Sequence, residues 1–247
     1  MRPNLHSFRL PGAVPDSFRP RAIGAIEFCR TQGVIVLTVA NSKGGCGKST
    51  LTLNTAIGYA RKGKRVLIVD ADGEQGTLRK WPRSIDIGNP TVVACAASEV
   101  IETVARHIGD YDVVLIDTAG RDERMMAAIL DISDILVSPV KPAHQDLLEL
   151  GRFVHVARAC NVPTVAVFNE ATRDKTAELK QLAAAFKACG PFLPVAMQQL
   201  STYRRVYPFG RGVLEIGRED PAKENFARVF AALGRAVDRA HAERAGQ

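Results

Sequence analysis

Seven short apolar runs, rich in β-branched residues, recur along the chain near 34–40, 65–70, 91–97, 112–117, 134–140, 163–169 and 192–197, with stretches of helical spacing between them. Each run is strand-sized and too short to span a bilayer. Regular alternation of strand and helix predicts an α/β fold: a doubly wound, mostly parallel sheet of about seven or eight strands flanked by helices. At 247 residues the chain is long enough for one such domain with a sizeable core.

Both ends of the chain depart from that rhythm. Residues 1 to 32 contain Pro3, Pro11, Pro15 and Pro20 among several arginines, with little helical period before Ala22. They read as a basic, flexible or loosely docked arm, with a short helix from Arg21 to Arg30, ahead of a domain covering 33–247. Arg2, Arg9, Asp16 and Arg19 interrupt any apolar core of a secretory signal. At the other end, Phe226, Val229, Phe230, Leu233 and Val237 recur at helical spacing between Pro221 and about Arg239. A terminal helix packed on the sheet gives this pattern, and so does an amphipathic membrane anchor. The mixed signs of Glu224, Arg228, Arg235, Asp238 and Arg239 on the polar face favour packing.

The chemistry is concentrated after the first strand. Asn41 to Ser49 fits the phosphate-loop pattern GxxxxGK[ST], with Ser42 in place of the first glycine, between Val34–Ala40 and a helical stretch from Leu51 to Lys62. Strand, glycine loop and helix in that order turn the pattern into a site. Gly44, Gly45, Cys46 and Gly47 let backbone N–H groups converge on a phosphate at the positive end of a helix. Lys48 would reach the β- and γ-phosphates, Ser49 would ligate Mg²⁺, and Thr50 would bond a phosphate nearer the base. Cys46 stands at a helix start, where a thiol can be activated, although the position also suits any small side chain.

Two further runs end in carboxylates, Arg65 to Asp72 and Tyr111 to Asp117. Ligand sites of parallel sheets lie at the carboxyl ends of strands, so Asp70, Asp72 and Asp117 fall on the phosphate side. Asp117 reads as the Mg²⁺-holding acid. Asp70 supports the metal region from behind, or caps a helix.

The segment Lys43-Gly44-Gly45-Cys46-Gly47-Lys48-Ser49-Thr50 resembles the deviant Walker motif of the ParA/MinD family of P-loop ATPases. The Pro139–Pro142 exit after Asp134–Val140, the strand ending at Asn169, and the Tyr203–Val206 and Phe209–Glu215 segments continue the resemblance, most like short plasmid- and chromosome-partition ParA proteins. The resemblance implies that Mg-ATP joins two subunits into a homodimer, with Lys43 crossing to the partner's nucleotide. It implies slow, partner-stimulated hydrolysis in which Lys43, Lys48 and Asp72 act, Asp72 orienting the attacking water. It also implies that Asn169 reads the adenine edge, although an asparagine at a strand end is equally an ordinary turn residue. One departure stands out: relatives continue after the second acid with Pro-Gln-Gly, whereas this chain reads Gly73-Glu74-Gln75-Gly76.

Net charge +7 and a pI near 9.3 favour an acidic polymer as partner. Basic residues late in the chain include Arg173, Lys175, Lys180 and Lys187, then Arg204, Arg205 and Arg211. The resemblance assigns the last three to phosphate contacts with DNA of any sequence, and implies a ParB-like, centromere-bound partner protein that triggers hydrolysis. A MinD-like cycle on membranes, or positioning of a protein cargo, are the alternatives; stable membrane association is not expected. Five cysteines with no CxxC pair read as reduced thiols in a cytoplasmic protein, nucleoid-associated in its ATP state.

Overall fold

The computed structural model describes residues 19–72, 76–82, 88–118, 123–172 and 175–245. Six strands form one parallel sheet: β1 (Ile35–Val39), β2 (Val66–Asp70), β3 (Thr91–Ala94), β4 (Val113–Asp117), β5 (Ile135–Val140) and β6 (Thr164–Phe168), in the order β3-β2-β4-β1-β5-β6. Helices α1 (Arg19–Thr31), α2 (Lys48–Arg61), α3 (Val100–His107), α4 (Glu123–Asp131), α5 (His144–Ala159), α6 (Thr176–Ala185), α7 (Thr202–Val206) and α8 (Pro221–Ala245) connect and cover it.

Six strands, rather than seven or eight, is a correction to the sequence reading. The run at 192–197 lies beside β6 but pairs with its neighbours only through isolated bridges, Ala166 with Phe192 and Ala171 with Gln198. Bonds to β6 run from Leu193 N–H to Ala166 O and then only from Met197 N–H to Phe168 O, so the stretch around Pro194 bulges away and no continuous ladder forms. The end of the 91–97 run likewise turns into a short 3₁₀ segment at Ala97–Glu99.

Alternation along each strand sorts the core into two faces. Leu37, Val39, Ile68, Leu115 and Val137 pack under α2 and α8, while Val36, Leu67, Val69, Val114 and Ile116 pack under α1 and α3. The apolar stripe of α8 (Phe226, Val229, Phe230, Leu233, Val237) is buried in the first of these clusters. A Cβ at Gly58 would lie 2.7 Å from the Phe230 ring, so glycine is what lets α2 and α8 approach so closely. That stripe is core packing, and among the described residues no helix is long and apolar enough to cross a membrane.

Residues 19–31 of the expected arm are helical and docked. Ile26 is fully buried, and Arg30 ion-pairs with the buried Asp134. Asp134 also accepts the Val36 N–H at 2.8 Å and faces His241 of α8 at 3.4 Å, which ties both terminal helices to the amino end of the sheet. The remainder of the arm, residues 1–18, lies outside the described residues.

Candidate functional site

The central strand β1 lies between β4 and β5, and the chain winds outward from it in both directions. Such a switch point opens a crevice at the carboxyl ends of the strands. The loop 40–47 leaves β1 there and turns into α2 through Gly47, whose φ of 101° is left-handed. Gly45, at φ 69°, makes the other left-handed turn of the loop. The loop is held from below. The Asn41 amide donates to the Pro139 carbonyl at 2.9 Å, and Asn41 Oδ1 accepts the Lys43 N–H at 2.9 Å.

A cavity of about 680 Å³ opens over this loop. Gly44, Gly45, Gly47, Lys48, Ser49 and Thr50 form one wall, and Asp72, Thr77, Thr118, Asn169, Glu170 and the 198–204 segment except Thr202 form the rest. Lys48 Nζ donates to the Lys43 carbonyl at 3.0 Å. Thr118 Oγ1 is buried without a hydrogen-bond partner among the described residues, as an atom awaiting a ligand would be.

The sheet register sets the acids side by side. Asp70 pairs with Asp117 across β2 and β4, and Val39 pairs with Asp117 across β1 and β4. Asp117 is 1 % exposed, and its carboxyl is pushed up to about 7, first by burial. The hydroxyls of Ser49 and Thr52 and the charge of Lys48 pull it down, while Asp70 pushes it up. The Thr52 hydroxyl lies 3.3 Å from Asp117 Oδ1. Asp70 is fully buried, and its two oxygens accept the N–H groups of Asp72 at 3.2 Å and Arg79 at 2.9 Å. Asp70 therefore organises the loop that carries Asp72, which leaves Asp117 and Ser49 as the groups facing a cation. Hard oxygen donors of this kind suit Mg²⁺, which takes one or two protein ligands and completes its octahedron with phosphate and water. The donor set fits the ion. Among the described residues no cluster of three or more His, Cys, Asp or Glu side chains would hold a metal without such help.

Asn169, Lys43 and Cys46 have contacts in the fold that the sequence does not announce. Asn169 lines the cavity, but its amide donates to the Cys46 carbonyl at 2.8 Å, and a Cβ on Gly47 would lie 2.1 Å from that amide nitrogen. Lys43 does not line the cavity; its ammonium ion-pairs with Asp146 at the start of α5. Cys46 is buried and its thiol is pushed up by desolvation, the opposite of activation.

The three late arginines also divide. Arg204 lines the nucleotide-sized cavity, whereas Arg205 and Arg211 border a separate, open groove beside the exposed Phe209. Arg205 donates to Thr202 Oγ1 at 3.1 Å and stands 3.7 Å from Asp220. Lys175 pairs with Glu178, while Arg173 and residues 73–75 of the altered loop lie outside the described residues.

Sequence reasoning missed Asp146, Thr52 and Thr118. Thr52 is one helical turn beyond Lys48, and Thr118 follows Asp117 directly, so both were within reach of a spacing argument.

Residues 37–193 match the family model described as the CobQ/CobB/MinD/ParA nucleotide binding domain. The maintenance of carboxysome distribution protein A of Gloeobacter kilaueensis is 37% identical over 123 residues, 49% of this chain and 56% of that protein, so the match spans little more than half of that relative. The protein of the same name from Halothiobacillus neapolitanus is 27% identical over 192 residues, 73% of this chain and 87% of that protein. The septum site-determining protein MinD from Pyrococcus horikoshii, solved with Mg-ADP, superposes with a TM-score of 0.62 at 16% identity, covering 84% of this chain and 98% of that one. At that identity the likeness speaks for the fold.

Proposed function

This chain belongs to the CobQ/CobB/MinD/ParA nucleotide-binding family, and from that premise we propose that it is an ATP-dependent dimerising switch that hydrolyses ATP slowly and positions a cargo. One observation carries the reading. Lys48 and Ser49 face a cavity against the buried Asp117, while a second lysine of the same loop, Lys43, points away from it. Lys43 takes no part in its own subunit's cavity, which supports a site completed by a second subunit.

ATP would lie along the glycine loop with its phosphates on the loop N–H groups and Lys48. Ser49 and Asp117 would hold Mg²⁺, which offsets phosphate charge when bound. Asp72, on the cavity wall, would orient the attacking water, and Lys43 of the second subunit would meet the charge that develops. A switch of this kind needs ATP for changing state rather than for flux, so slow turnover suits it.

For the cargo, the naming of two relatives for carboxysome distribution supports positioning in general. In the finer reading, the dimer holds DNA of any sequence through Arg205 and Arg211 and is released by a cargo-bound partner protein. Net charge +7 and the exposure of both arginines support it. Partition of a plasmid or chromosome and positioning of a protein body share this mechanism and differ only in the partner. Phosphate release from Mg-ATP tests the enzymatic part. Slow release that disappears in Lys48→Ala is expected, and release unaffected by that change would refute the assignment of this cavity.

A further inference from the structure

We propose that Asp146 is the positioning residue that keeps Lys43 within its own subunit, so that release of this ion pair sets the threshold for dimer formation. The proposal rests on the reading of Lys43 as the lysine that crosses to the partner.

Lys43 Nζ ion-pairs with Asp146 Oδ1, in the first turn of α5. The exposures are unequal, 41% for the lysine side chain and 8% for the aspartate. A fully buried pair would resist opening, and a fully exposed one would be screened to little effect. This one lies between, with a sheltered anion whose Oδ1 makes no hydrogen bond among the described residues and a cation that reaches solvent. The backbone beneath is pinned, because Asn41 is bonded both to Pro139 and to the Lys43 N–H. Only the four-carbon stem of Lys43 has to swing.

Asp146 sits in the first turn of a sixteen-residue helix, whose positive end attracts an anion whether or not the lysine is in place. The helix terminus compensates the anion only in part, so the unlatched subunit is less stable than the latched one. ATP binding and the second subunit must make up that difference. The ion pair therefore opposes dimerisation in the absence of the full set of ligands.

Asp146→Asn keeps the shape and removes the charge. Sizing with light scattering across a Mg-ATP titration should show the midpoint of dimer formation lowered by roughly three- to tenfold, given the partial exposure of the pair. The variant should also dimerise partly with Mg-ADP. Competitive acylation of the nucleotide-free protein, read by mass spectrometry, reports the latch without any dimer. Labelling of Lys43 should rise severalfold in Asp146→Asn, a change that a merely structural aspartate would not produce. The double variant Lys43→Ala/Asp146→Asn should behave as Lys43→Ala does. If Lys43→Ala stays monomeric but Asp146→Asn changes neither labelling nor midpoint, the latch alone is refuted. A weaker dimer in Asp146→Asn would also overturn it, since Asp146 would then serve the dimer. If Lys43→Ala dimerises like the wild type, the crossing-lysine reading fails, and the latch with it.

Discussion

The side-chain amide of Asn169, at the end of β6, donates to the carbonyl oxygen of Cys46 inside the phosphate loop at 2.8 Å. The loop is thereby clamped to a strand two positions away in the sheet. Asn169→Ala would leave a buried carbonyl unpaired, a loss of about 1–3 kcal/mol. Affinity for ATP and GTP should fall together, by about tenfold, if that loss appears in the loop conformation that binds phosphate. Titration with fluorescent nucleotides checks this. A loss confined to ATP would return Asn169 to the role of adenine reader.

Asp117 carries the second prediction. Its carboxyl is buried beside Asp70, and only two hydroxyls and the charge of Lys48 offset that burial. Asp117→Asn removes the anion at similar volume. The nucleotide-free variant should melt about 2–4 °C above the wild type, as a gain near 1 kcal/mol implies for a domain of this size. Mg-ATP should raise the melting temperature of the wild type and leave the variant almost unmoved. A variant that melts lower than the wild type without nucleotide would contradict the account of Asp117 as a site-directed rather than structural acid.

Much of this site is legible in the sequence because it depends on local order. The run from Lys43 to Thr50 between a strand and a helix defines the phosphate loop, and the runs ending in Asp70 and Asp117 define strands whose register sets the two acids side by side. What stays hidden depends on distant partners. Nothing in the neighbourhood of Asn169 signals Cys46, which is 123 positions away, and nothing near Lys43 signals Asp146. The run at 192–197 misleads for a different reason. Its apolar content suits a strand, but the stretch around Pro194 bulges between the bonds that Leu193 and Met197 make to β6. The helix at 21–30 is expected from the sequence, but its firm docking is not, because that depends on Ile26 entering the core and on the ion pair of Arg30 with Asp134.

The basic groove gives a third prediction. Arg205→Ala and Arg211→Ala should each weaken binding to any duplex without reducing ATP binding. Every phosphate that is no longer neutralised should flatten the log–log salt dependence by about 0.9. Arg205 is already neighboured by Asp220, so its removal should have the smaller effect. Filter binding across a salt series on two unrelated duplexes, with ATP and with ADP, measures all of this. Nucleotide-independent binding, or a strong preference for one duplex, would contradict it.

The central claim is that one loop holds two lysines with separate tasks, Lys48 for the nucleotide and Lys43 for the second subunit. Sizing with light scattering in Mg-ATP and in Mg-ADP tests it on the wild type, Lys43→Ala, Lys48→Ala and Asp72→Ala. The wild type should be a dimer with Mg-ATP and a monomer with Mg-ADP. Lys48→Ala should lose both nucleotide and dimer. Lys43→Ala should bind ATP yet stay monomeric, and Asp72→Ala should form a dimer that persists because turnover has stopped. A Lys43→Ala protein that dimerises with ATP like the wild type would contradict the account.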